Sequence, residues 1–165
     1  MESETVRYHP LPQPDEIGLR EREDSMGAYL MMFATLALGL PLPIINLIAA
    51  FIYLYINKKT SRFVHFHSLQ SLYSQIPVTV LNAGMVIWLI IIFRNDFNFT
   101  SEFKGYLIMT GVANLVYFIF SLIAAAKARK GLFYYFFFFG RLAYTRAYRI
   151  DNGPVKVLVN KPPTM

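Results

Sequence analysis

Residues 62–72 read "RFVHFHSLQSL" and stand at the head of a long apolar run. Two histidines, two serines and a glutamine at the mouth of such a run need a reason, because polar side chains are costly in lipid. What lies on either side decides which solvent to expect. Hydrophobic residues make up 55% of the 165-residue chain and charged residues only 16%, against about a quarter charged in ordinary soluble domains. The charges are also segregated. No Asp or Glu falls between Ser25 and Phe93, where the only Lys and Arg residues are Lys58, Lys59 and Arg62, and 105–126 carries no charge of either sign. This is the pattern of an all-α, polytopic membrane protein, and the length suits one domain.

Several function classes recede at once. The chain has no cysteine, which excludes disulfides and thiolate chemistry. Its net charge of +6 is explained by topology: the positive residues flank apolar spans and are not interleaved with aromatics along a nucleic-acid groove. The first residues are acidic and proline-bearing, unlike a cleaved signal peptide.

Residues 1–26 read as a polar acidic tail, in which Pro10, Pro12 and Pro14 oppose regular structure and Asp24 or Ser25 caps the first span. The apolar stretch 27–57 would be about 46 Å long as one helix, too long for a hydrocarbon core of about 30 Å. Pro41 and Pro43 break it near the middle, so a hairpin is expected, with helices over 27–40 and 44–57. Each arm is only about 20 Å, which calls for local thinning or for extension of the first arm backwards. Two longer spans follow, 63–93 with Pro77 as a kink point and 103–126, which Lys127, Arg129 and Lys130 stop. The expected fold is thus a four-helix bundle: a short proline-broken hairpin plus two longer spans. Beyond it, 132–143 contains an unbroken aromatic run, Phe133 to Phe139, too short to span and suited to the interface. Residues 144–165 form a basic tail with a turn signal at Asp151, Asn152 and Gly153. Lys and Arg concentrate in the loop before residue 63 and after 126, which places those segments in the cytoplasm. Four spans put both termini there; a single kinked first span would put the N-terminus outside.

At 100° per residue, His67, Gln70, Ser71, Ser74, Gln75 and Asn82 share one face of the third span. Tyr106, Thr110, Asn114, Tyr117 and Ser121 share one face of the fourth, and Asn46 and Tyr53 add a smaller seam to the second. Two uses remain open: the seams pack together as interhelical glue, or they line a wettable groove that receives a client segment. No catalytic site is expected, since the spans hold serines but no carboxylate, metal set or base-activated nucleophile. His65 and His67 lie about 200° apart on a helix and cannot converge on one metal, so neither a metal nor another cofactor is expected.

The string beginning at Phe63 resembles the family of the twenty-kilodalton chloroplast inner-envelope import component (Tic-twenty-like) and its small bacterial relatives, a domain family of unknown function. Phe63, Val64, His67, Leu69, Gln70, Ser71 and Leu72 match that family's third helix, and Gly131, Tyr134, Tyr135 and 140–143 match its far end. His65 stands where a charged residue is common, and the aromatic run lacks a proline found in relatives. The resemblance covers 27–143. It implies a four-helix membrane fold with both termini on one side and a role near protein translocation. The function expected is therefore a non-enzymatic protein of the cell inner (cytoplasmic) membrane, a subunit or accessory factor in protein translocation or membrane-protein assembly. Its partners would be the lipid bilayer and translocase or insertase subunits, with no nucleic acid. The alternative is a small-solute or ion pathway formed by a homo-oligomer.

Overall fold

The computed structural model describes residues 7–34, 44–94 and 99–150. Every regular element among them is helical: α1 (Leu19–Leu30), α2 (Ile44–Asn57), α3 (Arg62–Arg94), α4 (Ser101–Arg129) and α5 (Phe137–Tyr148), with 3-10 turns at Pro14–Glu16 and Met31–Phe33. The proline hairpin at 40–43 and the turn at 151–153 fall outside the described residues.

The first helix begins eight residues earlier than the sequence leads one to expect. The prolines stop at Pro14, and the Glu21 carboxylate then accepts from the Gly18 N–H at 3.2 Å, tying down one of the orphan donors of a helix start. Asp24 and Ser25 are therefore interior residues, not caps, and Ser25 is fully buried. Arg22 secures this start by donating from Nε to the Ile17 carbonyl at 2.9 Å. In α3, the Ser61 hydroxyl accepts from the Val64 N–H, and the helix runs through Pro77 without ending there. Thr100 caps α4 by accepting from Phe103 N–H. That helix stops at Gly131, whose φ of 73° is the left-handed conformation glycine takes most readily. Gly131 N–H bonds Ala128 O and Leu132 N–H bonds Lys127 O, the paired bonds of a Schellman cap. A Cβ there would also meet the Pro14 backbone at 3.2 Å, so the same glycine lets the N-terminal segment lie against the end of α4.

The buried core sits at one end of the molecule. Tyr29 of α1 packs with Ala124, Ala125 and Ala128 of α4 and with Phe136. Phe66 and Leu69 of α3 pack with Ala143, Ala147 and Tyr148 of α5. Together, α1, the first half of α3, the last turns of α4 and α5 form a packed base. At its edge the two terminal segments meet: Tyr8 and Arg149 pair as an antiparallel bridge, with His9 N–H bonded to Tyr148 O at 2.8 Å and Ile150 N–H to Arg7 O at 2.9 Å. The rest of α3 and α4 leaves the base and exposes apolar side chains such as Val80, Ile87, Ile90, Ile108, Val112 and Leu115. Both helices are long and apolar enough to cross a membrane.

The aromatic run is not one interfacial element. Residues 132–136 are irregular and thread back into the base, where Phe133 stacks on His67 and meets Phe63 and Phe66 edge-on or tilted. The helix that follows reaches Tyr148, five residues past the expected boundary at 143, because Ala143, Ala147 and Tyr148 continue its buried face.

Candidate functional site: a closed polar clasp and an open polar pocket

The polar residues of "HFHSLQS" converge on the base. Gln70 is fully buried, and its amide joins three segments. Its Nε2 donates to the Tyr29 hydroxyl at 2.8 Å and to the Tyr134 carbonyl at 2.8 Å, while its Oε1 accepts from the Phe136 N–H at 3.2 Å. The two backbone bonds imitate a strand partner for the irregular 132–136 segment, which has no neighbouring strand to satisfy it. Gly140 makes room for this: a Cβ there would lie 2.9 Å from Gln70 Oε1 and 2.7 Å from Tyr135 Cα. Tyr29 and His67 Nδ1 are 2.9 Å apart. The hydroxyl also accepts from Gln70, so Tyr29 links the two side chains, while His67 Nε2 is buried without a partner. Ser71 completes the group by donating to the Ala28 carbonyl at 2.7 Å. His67, Gln70 and Ser71 thus face α1 and the aromatic segment, and not α4 as their helical angle alone would place them.

Farther along, α3 and α4 do meet through polar groups. Ser74 donates to Ser71 O and Gln75 Nε2 to Ser71 Oγ. The Tyr117 hydroxyl lies beside Ser74, Gln75 and Ser121 without reaching hydrogen-bond geometry with them. Asn82 and Asn114 exchange amide bonds at 3.0 and 2.9 Å, and Asn114 also donates to Thr110 O. Tyr106 donates to the Leu81 carbonyl at 2.9 Å, and the Thr110 hydroxyl is buried without a partner. A pocket of about 470 Å3 opens beside this seam, lined by Asn46, Gln75, Asn82, Asn114 and Tyr117 with Met32, Phe33 and Phe118. Tyr53 of the smaller seam points elsewhere, donating to the Asp24 carbonyl at 2.7 Å.

No group of three or more His, Cys, Asp or Glu side chains comes together among the described residues. His65 is half-buried near Arg146 and Lys58, apart from the clasp. Sequence reasoning missed Tyr29 and the backbone of Tyr134 and Phe136 as partners of Gln70. Gln70 itself, a side chain with donors and an acceptor in an apolar setting, was the available signal that some backbone needed it.

No curated protein and no solved structure matches the chain. The family model that matches is not that of the chloroplast import component, so that resemblance is corrected, and the translocation role with its translocase or insertase partners falls with it. There is a physical reason for the misdirection. His67, Gln70, Ser71 and Gly140, on which the likeness rested, build the clasp, and residues that hold a fold together report the fold and not the activity. The match is to residues 23–143, from the middle of α1 into α5. Over that stretch, the greater part of its length, the chain belongs to the magnetosome magnetite crystal formation protein family.

Proposed function

We propose that the chain is a non-enzymatic, multi-pass protein of the membrane in which magnetite crystals form, and that it serves crystal formation as a structural subunit of that membrane. The observation that carries this reading is the contrast between the two ends of the molecule. The most apolar 18-residue windows of α3 and α4 are only 6% and 17% buried, where the core helix of a soluble protein would be mostly covered. These are lipid-facing surfaces. Residues 76–94 and 101–120 measure about 28 and 30 Å at about 1.5 Å per residue, the thickness of a hydrocarbon core. The remainder of each helix belongs to the base. With α2 read as one arm of a short apolar hairpin, this reading has four spans, in a membrane domain over 27–143 between polar flanks. The pairing of Tyr8 with Arg149 supports both termini on one side, the cytoplasmic face of a membrane derived from the cell inner membrane.

Fractionation of a magnetite-forming cell tests this. The tagged chain should travel with crystal-bearing vesicles and resist carbonate extraction, and its deletion should shift the crystal-size distribution seen by electron microscopy. A soluble chain, or unaltered crystals in the deletion strain, would count against it. The pocket beside Asn82 and Asn114 favours a second reading, a small-solute pathway completed by further copies of the chain. A monomer in mild detergent would set that aside.

A further inference from the structure

The outer face of α5 combines basic and apolar side chains. Phe138, Arg141, Leu142, Thr145, Arg146 and Arg149 recur at the spacing of one helical face. With Tyr73 of α3 they line a groove of about 780 Å3. The opposite face of α5, with Gly140, Ala143, Ala147 and Tyr148, is buried in the base, so the helix cannot turn its arginines inward. Three guanidinium groups share the groove with no carboxylate in its lining among the described residues. Such a concentration of one sign asks for an anion, and the planar guanidinium fork matches phosphate geometry.

The groove is also graded along its length. At its inner end, Phe138 lies with Tyr73, just ahead of the span that starts near Ile76; Phe137 and Phe138 are 88% and 66% exposed. At its outer end, Arg149 follows Tyr148, which lines a hollow with Ser61, Arg62 and Phe63 at the head of α3. On the membrane placement proposed above, the helix runs inward from the surface, basic above and aromatic below. Its 12 residues cover about 18 Å, the depth of a headgroup and the upper part of its acyl chains. A soluble anion has no use for Phe138 and Leu142, and a soluble protein could not reach them.

We propose that this groove binds an anionic phospholipid of the cytoplasmic leaflet, its phosphate held by Arg141, Arg146 and Arg149 and its acyl chains lying against Tyr73, Phe138 and Leu142. The proposal rests on the membrane placement above, and carbonate extraction separates the two: a chain that stays in the membrane but shows no lipid preference sinks only the lipid site.

The test is native mass spectrometry of the full chain in mild detergent, with phosphatidylglycerol, phosphatidylcholine or inorganic phosphate added. Retention of phosphatidylglycerol should exceed that of phosphatidylcholine by on the order of tenfold, given the attraction of several basic residues to an anionic lipid, and inorganic phosphate should not displace it. The Arg141→Gln, Arg146→Gln, Arg149→Gln triple variant should lose the preference. A Lys127→Gln, Arg129→Gln, Lys130→Gln variant, equal in charge removed, should keep it. Equal loss in both variants would reduce the effect to net charge and overturn the site, as would displacement by inorganic phosphate. Should the first variant fail to fold, the three ligand arms on the unaltered chain decide alone: equal retention of both lipids overturns the proposal.

Discussion

Gln70 is the residue through which the base is joined, because its side chain bonds α1 and, at Tyr134 and Phe136, the irregular aromatic segment. Its replacement by Leu is nearly isosteric, yet leaves the buried Phe136 N–H, and the part-buried Tyr134 carbonyl at a smaller cost, without their partner. A buried group left so costs about 1–3 kcal/mol, so Gln70→Leu should destabilise by about 2–4 kcal/mol, seen as a lowered unfolding midpoint in detergent. Sequence alone points the other way. A glutamine in a membrane seam is expected to contribute well under about 1 kcal/mol, since membrane hydrogen bonds average about 0.6 kcal/mol. The difference lies in what the amide bonds: here it is backbone with no alternative partner, not a second side chain that can turn to another. A Leu variant as stable as the unaltered chain would remove the clasp from any structural role.

At the scale of elements, α3 and α4 each do two jobs along one continuous helix. Their base segments bury polar groups against α1, α5 and the aromatic segment; their outer segments meet through Tyr106, the Asn82–Asn114 exchange and Trp88 packed on Phe103 and Tyr106. On the membrane placement proposed above, the asparagine pair lies within the spans, where the membrane value applies. Asn82→Leu or Asn114→Leu should each cost less than about 1 kcal/mol, and a double-mutant cycle should give a coupling of about 0.6 and no more than about 1.7 kcal/mol. A coupling near zero would mean the two amides do not hold the spans together and serve the adjoining pocket instead. The stop of α4 was legible to within three residues from the basic run after 126, whereas its start at Ser101, capped by Thr100, came two residues before the expected 103. The start of α1 was not legible, because its acidic composition resembles a solvated tail, and only its contact with α3 and α4 makes Ser25, Ala28 and Tyr29 an inner face.

For the whole molecule, the meeting of residues 7–9 with 148–150 is the topological statement. The chain lacks cysteine, so single cysteines report sidedness cleanly. In inverted inner-membrane vesicles, Leu11→Cys and Arg149→Cys should both react with an impermeant maleimide, and Phe99→Cys should react only after detergent is added. Opposite accessibility of Leu11→Cys and Arg149→Cys would break the pairing and the four-span topology with it.

The sequence by itself determined the all-helical class and the long axes. A stretch without charge from 105 to 126, and another without acids from 25 to 93, suit long apolar helices, which satisfy their own backbone bonds internally. The positions of the helices over 44–57, 62–94 and 101–129 follow from those runs and the polar residues that bound them. What only the tertiary structure decided is where the polar face of α3 turns. Helical angles place His67, Gln70 and Ser71 on one side, but the partners are chosen by segments 38 to 66 residues away: Tyr29 and Ala28 before it, Tyr134 and Phe136 after it. A periodic pattern reports that a face must be satisfied and carries no information about which distant backbone will satisfy it. The aromatic run illustrates the same limit, since Phe133 and Phe136 go inward and Phe137 and Phe138 outward by virtue of Gln70 and Gly140, not of their own composition.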